Sequence, residues 1–522
     1  MIVRKSEFFI MMSADGTLNR PIPILRLGLA VICLATLAGC MVGPNYKRPE
    51  TKVPEKWDGQ KAVTPAQPSK TTPNPVALVD WWNAFNDPTL SSLVEMAIRS
   101  NLDLRLAEAR IRQARAAQGV AGAPLWPEVD LNAQYQRSWP AGQSLTSPGI
   151  SPTPSPSPTP GKKPNPPPST TTTTLGGIRD FFRVGLDSTW ELDIFGGTRR
   201  NIEATGADLQ AALEDRRDVL ITLVGDVGNN YISLRGFQQQ IDIARRNLKA
   251  QRHTAEITRK RYEAGFVSAL EVAQADAQVA TTEAVIPVFE SSARAAIYSL
   301  GVLLGREPAA LTKELAIESP IPPTPPEIPV GLPSELVRRR PDIRRAEAQL
   351  HAATARIGVA TADLFPKFSL TGSLGFSAND LAKLGSFDSK FWSFGPSVTW
   401  PIFAGGRIYW NIKVQDALTE QALAAYEKAI LTALKDVETA LVAYAKEQEH
   451  RKSLAEAVVN NRRAVELSLK LYLVGKTDFL NVLTAQRSLF TSEDALSQSV
   501  RTVDTNLIAL YKALGGGWEK SP

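Results

Sequence analysis

The residues best suited to chemistry are few and scattered. The 522-residue chain holds three histidines, His253, His351 and His450. Each stands alone in helical text, without ligand spacing for a metal site. Val-Gly-Lys-Thr at 474–477 superficially matches the end of a phosphate loop. That motif needs a glycine five positions before Gly475, where Lys470 sits, and a preceding strand, which is absent. With no nucleotide site the chain carries no energy source of its own. No enzymatic centre, metal or cofactor is expected.

The two cysteines lie near the N-terminus. Arg20 and Arg26 precede the apolar run LGLAVICLATLAGC, too short for a permanent membrane span and shaped like a secretory signal. Leu-Ala-Gly-Cys ending at Cys40 resembles a bacterial lipoprotein processing site, which would make Cys40 the lipidated first residue. Cys33 would leave with residues 1–39, so the mature chain would hold no disulfide in a compartment that permits one. Cleavage also removes four basic and two acidic residues, lowering the net charge from +6 to +4. The remaining charges alternate in sign along helical text, which marks solvated faces and not a nucleic-acid patch. No later stretch is apolar for 18 residues, so no transmembrane helix is expected.

What must be positioned is therefore a scaffold, and the scaffold is duplicated. DLRLAEARIRQARAAQGVAGAPLWPEVDL (103–131) lies over DIRRAEAQLHAATARIGVATADLFPKFSL (342–370) at an offset of 239, with 14 identities in 29 positions. YEAGFVSALEVAQA (262–275) matches YLVGKTDFLNVLTA (472–485) at an offset of 210, and Gly305 falls on Gly515. So long a period indicates a doubled unit of roughly 200 residues and not a solenoid.

Each unit reads as helix, two strands, long helix and return helix. Strict alternation predicts strands at 129–137, 181–190, 368–376 and 392–400. Trp139, Phe181, Phe182, Trp190, Phe391, Trp392 and Trp400 cluster at strand ends like an interfacial girdle. The first hairpin's loop has 11 prolines between 140 and 168 and is expected to be long and exposed. From Arg407 to Val474 there is no Gly or Pro, enough for a helix of about 100 Å. In it Leu423, Tyr426, Ile430, Leu434, Val437, Leu441 and Tyr444 repeat every 3.5 residues, a left-handed coiled-coil seam. Arg199 to Ala264 matches it in length and has no proline. Both long helices end at Tyr-x-x-Gly, Tyr262 to Gly265 and Tyr472 to Gly475, where glycine closes a helix in the left-handed conformation. A single rising helix (90–122) and the return helix (266–304), stacked end to end, would line one long partner.

Strands of this length cross a bilayer when tilted, but four cannot close a barrel, and an open edge in lipid strands unpaired backbone groups. Copies of the chain must complete the ring; two would give 8 strands and three would give 12. The inward positions Ser369, Thr371, Ser373, Ser397 and Thr399 are small and polar, which favours the wider, open version. The chain thus divides into a signal (1–39), an N-terminal tether and equatorial segment (40–89) and a first repeat (90–317) containing the Pro-rich loop 139–180. A Pro-rich linker (318–333), a second repeat (334–517) and a tail (518–522) follow.

GCMVGPNYKRPE, DWWNAFNDPTL, RRRPDIRRAEAQL, ATADLFPKFSLTGSLGF and the two Tyr-x-x-Gly tips resemble the outer-membrane channels of tripartite efflux pumps, the TolC and OprM family, in its lipoprotein branch. The resemblance covers residues 40–517. It implies an α+β membrane protein: four strands per protomer in a trimeric 12-stranded barrel, continued by a periplasmic coiled-coil barrel of helices. It implies a passive duct, a periplasmic adaptor and an inner-membrane RND-type exporter as partners, and no nucleic acid. It places the periplasmic mouth at 262–275 and 472–487. Leu480 would form an apolar constriction, and Glu271 and Arg487 polar contacts that hold the mouth shut. Asn481 and Thr484 stand where the family often has acids, which weakens the expectation of an anionic ring. Tyr262, Gly265, Tyr472 and Gly475 would form the tips that an adaptor grips. Two other readings compete: a type I secretion duct for polypeptides, and a lipid-anchored coiled-coil protein without a pore.

Overall fold

The computed structural model describes residues 41–59, 70–72, 78–139, 178–325 and 327–518. The expected signal, Cys40, residues 140–177 of the proline-rich loop and residues 519–522 of the tail lie outside the described residues. The chain forms two compact units. One comprises Ala123–Arg199 and Gly358–Ile408 with the stretch before Pro44; the other comprises Pro44–Gly122, Arg200–Ile357 and Tyr409–Pro522.

The first unit is a four-stranded antiparallel sheet. Taking the short strand Lys70–Thr72 as β1 and Glu327–Pro329 as β4, its members are β2 (Glu128–Ser138), β3 (Arg179–Leu192), β5 (Lys367–Ala378) and β6 (Lys390–Thr399). They are ordered β2-β3-β5-β6, so each repeat supplies one hairpin. The change of repeat offset, 239 to 210, has a structural source: the β2–β3 connection (139–178) is 29 residues longer than the β5–β6 connection (379–389).

The second unit is helical. Its main helices are α1 (Pro88–Ser100), α2 (Leu102–Gly122), α3 (Gly197–Glu263), α4 (Ala269–Leu303), the single turn α5 (Thr312–Leu315), α6 (Pro333–Arg339), α7 (Pro341–Ala362), α8 (Arg407–Leu473) and α9 (Phe479–Ala513). α3 and α8 are each 67 residues long, and α4 and α9 each 35. The expected single rising helix is two. Asn101 leaves the helical conformation at ψ 137, and its side chain accepts the amides of Asp103 and Leu104, capping α2. Its amide then donates to the Leu303 carbonyl at the end of α4, while Ser100 Oγ donates to Leu304 O. The stack that lines α3 is therefore α2 on α4, with α1 set aside. The second repeat builds the same joint from another residue: Arg340, at the position of Asn101, donates to Ala513 O at the end of α9.

The coiled-coil seam of α8 is buried at Tyr426, Ile430, Val437, Leu441 and Tyr444 and half-buried at Leu423 and Leu434. The main core gathers around Trp81, Trp82, Phe85, Tyr231 and Tyr511, the Trp81 and Tyr511 rings stacked at 5.2 Å. The segment expected as an extended tether and equatorial segment is docked in its described parts. Trp57 donates to Gly331 O, the amides of Asp58 and Gly59 reach Glu438, Tyr46 stacks on His351, and β1 pairs with β4 of the proline-rich linker. Its extended backbone finds partners hundreds of residues away, which local composition does not encode.

Candidate functional site

Register settles what each face of the sheet carries, because opposed residues in antiparallel strands share a face. One face reads Val129, Leu131, Ala133 and Tyr135 on β2; Phe182, Val184, Leu186 and Trp190 on β3; Phe368, Leu370, Leu374 and Phe376 on β5; Trp392, Phe394, Pro396 and Val398 on β6. It is apolar nearly throughout and uncovered, with Leu131 72% and Trp392 82% exposed. The opposite face carries Asp130, Asn132, Gln134, Arg183, Asp187, Thr189, Ser369, Thr371, Ser373, Ser393, Ser397 and Thr399. Ser373 and Ser393 hydroxyls bond across it at 2.7 Å, and Asp187 accepts from Asn132 at 2.7 Å and Arg183 at 3.0 Å. Phe181 and Phe391, expected among the girdle residues, belong to this polar face, where Arg183 lies 4.5 Å above the Phe391 ring.

Apolar surface on this scale, turned outward from an antiparallel sheet, belongs in lipid. From Phe182 to Trp190 is eight residue steps, roughly 27 Å at 3.4 Å each, about one hydrocarbon thickness. The inner corners are fastened twice in the same way. Trp190 Nε1 donates to Leu125 O, and Trp400 Nε1 donates to Leu364 O, each at 3.0 Å.

The other place where the two repeats meet a common task is the pair of hairpin tips. Gly265 (φ 79) and Gly475 (φ 76) close α3 and α8 with matching bonds: Gly265 N to Tyr262 O and Phe266 N to Arg261 O, Gly475 N to Tyr472 O and Lys476 N to Leu471 O. These are double-bonded glycine caps that satisfy the orphan carbonyls. A Cβ on either glycine would meet nothing within 4 Å, so it is the dihedral that calls for glycine. Tyr472 is 2% exposed: its hydroxyl donates to Glu271 at 3.0 Å, its ring lies under Arg261 at 4.6 Å, and Phe479 packs 5.5 Å away. Burial, with help from the Glu271 carboxylate, holds the Tyr472 hydroxyl above its ordinary pKa.

Two matches to one family model lie on this duplicated architecture. Residues 93–306 and 332–516 each match the outer membrane efflux protein family. The chain belongs to that family. Among relatives of this efflux protein, the pyoverdine export outer membrane protein OpmQ of Pseudomonas aeruginosa is 36% identical over 440 residues, covering 84% of this chain and 87% of OpmQ. Nodulation protein T of Rhizobium leguminosarum bv. trifolii is 31% identical over 484 residues, covering 92% and 95%. The solved outer-membrane channel OprN is similar at a TM-score of 0.80 and 36% identity, over 92% of this chain and all of OprN. This efflux protein is an exit duct of the outer membrane, with the fold of that channel family, and its relatives are channel components. The type I secretion reading is not favoured by these relatives.

In the efflux protein the expected mouth residues gather on the tips and the first turns of α4 and α9. Leu480 is 58% exposed, Asn481 and Thr484 are exposed beside it, and Asn481 donates to Thr477 Oγ1. Glu271 and Arg487 are not bonded to each other. Glu271 accepts from Tyr472, and Arg487 donates to Gln278 Oε1 at 2.6 Å. Both bonds tie the first repeat to the second inside one chain. Tyr472, expected on the gripping surface, is turned inward, and Leu473 and Val474 are exposed instead. Arg261 escaped the sequence reading. Nothing at its own position signals it, because its partner lies 211 residues away. Among the described residues, no cluster of His, Cys, Asp or Glu is arranged to hold a metal ion.

Proposed function

We propose that three copies of this chain close a 12-stranded barrel in the outer membrane, each contributing its four strands. Drugs or related small molecules would pass through it from a periplasmic adaptor and an inner-membrane RND-type exporter. One observation supports this above the others: an open sheet whose outward face is apolar nearly throughout and whose edge strands β2 and β6 have no further partner among the described residues. Three copies and not two follow from the polar lining, since a 12-stranded ring leaves a water-filled passage where an 8-stranded ring is filled by side chains. The pyoverdine-export relative supports an export role; cargo choice belongs to the exporter upstream.

At the periplasmic end Leu480 forms an apolar constriction, with Asn481 and Thr484 beside it. Glu271 and Arg487 brace the hairpins, and the tips around Tyr262, Gly265 and Gly475 meet the adaptor. Cys40, once processed, carries the covalent lipid, while barrel assembly supplies most of the anchoring because one acyl chain holds a protein only marginally. Light scattering of the detergent-solubilised protein tests the ring, with three copies expected; a monomer soluble without detergent would overturn it. In planar bilayers Arg487→Glu or Glu271→Lys raises single-channel conductance, and unchanged values in both remove them from the gate. Cys40→Ser abolishes metabolic labelling with palmitate, and persistent labelling would place the lipid elsewhere.

A further inference from the structure

Where the two hairpins of the sheet meet, glycine and phenylalanine make an unusual joint. One row of the polar face runs through Gly185 on β3, Gly375 on β5 and Phe391 on β6. There β3 and β5 approach closely: a Cβ on Gly375 would run into the Val184 carbonyl, and one on Gly185 would lie 2.8 Å from Leu374 O. The Phe391 phenyl lies down across β5. Its Cε1 is 3.1 Å from the place of a Gly375 Cβ, and its Cζ is 3.0 Å from that of Gly185. Arg183, tied to Asp187 at 3.0 Å, covers the phenyl at 4.5 Å. An aromatic side chain thus closes the joint on its polar side, over the space that two glycines leave.

The same joint is half present at the free edges of the sheet. Phe181 is the counterpart of Phe391 and Gly395 of Gly185, at the offset of 210; Gln136 is the counterpart of Gly375, at 239. Both hairpins keep one register, with Gln136 opposite Phe181 and Gly375 opposite Phe391, so the offsets carry pairing as well as sequence. If copies close the ring proposed above, the pair Gly185–Gly375 becomes Gly395 of one copy opposite Gln136 of the next. Residues 393–399 then run against 138–132, seven rungs where β3 and β5 share eleven. The faces agree: Pro396 and Val398 meet Tyr135 and Ala133 on the apolar side, and Ser397 meets Gln134 on the polar side. A slip of one residue would set polar against apolar, and a slip of two would carry Gly395 away from the Phe181 phenyl. There is room for that phenyl: a Cβ on Gly395 meets nothing within 4 Å, and Phe181 is 36% exposed.

We propose that β6 of one copy pairs with β2 of the next in this register, and that Phe181 lies across Gln136 onto Gly395 of the adjoining copy, closing the joint from the polar side. The joint between copies is the leaner of the two. Glutamine replaces the glycine floor, and Ser393 stands where Arg183 covers the phenyl.

The test uses the full-length protein in outer membranes, carrying Gln134→Cys with Ser397→Cys. Directly opposed Cβ atoms, about 4.5–5.5 Å apart, come near disulfide reach, whereas pairs displaced by two residues, about 7–8 Å apart, do not. Oxidation is expected to join copies into covalent dimers and trimers, at least about ten-fold more than Asn132→Cys or Gln136→Cys combined with the same Ser397→Cys. Preferential joining of a displaced pair would overturn the register and leave the ring intact. Failure of all three pairs, in protein that light scattering shows to be oligomeric, would do the same. A monomer by light scattering would overturn the ring itself and the register with it. The phenyl contact is tested separately, with p-benzoylphenylalanine in place of Phe181. Irradiation is expected to capture residues 393–397 of another copy. Capture confined to one chain, or none, would overturn the contact across the joint.

Discussion

The two repeats use one backbone plan with different side chains, and where they differ separates geometry from chemistry. At the corners both keep tryptophan, Trp190 and Trp400, whose indole N–H groups reach the carbonyls of Leu125 and Leu364. At the helix joint both need a donor to the last carbonyl of the return helix and nothing more specific. An asparagine serves in one and an arginine in the other. At the tips the backbone caps coincide while the side chains diverge, because Tyr472 meets its own chain and Tyr262 does not. Positions that fix backbone geometry match; positions that face unequal neighbours differ.

The glycines after the return helices break this comparison hardest. A Cβ on Gly305 (φ 64) would stand 2.4 Å from the Ser100 carbonyl oxygen, whereas one on Gly515 (φ 71) would meet the Arg340 side chain at 3.1 Å. Gly305→Val should cost at least about 3 kcal/mol and remove most folded protein, with Gly515→Ala milder at about 1–2 kcal/mol. Thermal unfolding in detergent measures both. Next come the joint residues. Arg340 is largely buried and forks onto Asp342 at 2.9 and 2.7 Å. Arg340→Ala should destabilise by about 2–3 kcal/mol, and Asn101→Ala by about 1–2 through the lost cap. Equal losses would show that the shared carbonyl bond, and not the local partners, sets the energy.

A third contrast depends on pH. Asp504 is fully buried on α9, where its repeat counterpart is the exposed Arg294. Thr324 donates to one carboxyl oxygen at 2.9 Å, and the other has no hydrogen-bond partner. Burial raises its pKa from 3.8 to about 7, against the opposing pull of Thr324 and Arg451. The folded state therefore holds a proton that the unfolded state gives up. The stability this confers is full below 3.8 and is lost as pH rises towards 7. Asp504→Asn should flatten that decline in unfolding midpoint, while Arg294→Gln should leave it in place. The smallest effect is at the corners: Trp190→Phe and Trp400→Phe should each lose about 1 kcal/mol, and by similar amounts.

Much of this architecture is legible in the residues. The four strands fall within two residues of their expected ends, because alternation over nine or ten positions has few other interpretations. The helix ends at Gly265 and Gly475 follow from glycine alone. The joint at Asn101 was hidden by apolar spacing that continues through it, although Asn-Leu-Asp is a reasonable start signal; Pro341 marks the same joint openly in the second repeat. The docking of residues 44–59 and the part played by Arg261 depend on partners distant in sequence, which no local pattern announces.

The tryptophan latches carry one more consequence. Because an indole at each inner corner is hydrogen-bonded to the chain's own backbone, the lower boundary of the apolar band is held by the fold and adapts little to surrounding lipid. The band has a fixed height, so a thicker bilayer must thin around it. That penalty favours a thin host membrane and turns strand length into a sorting signal.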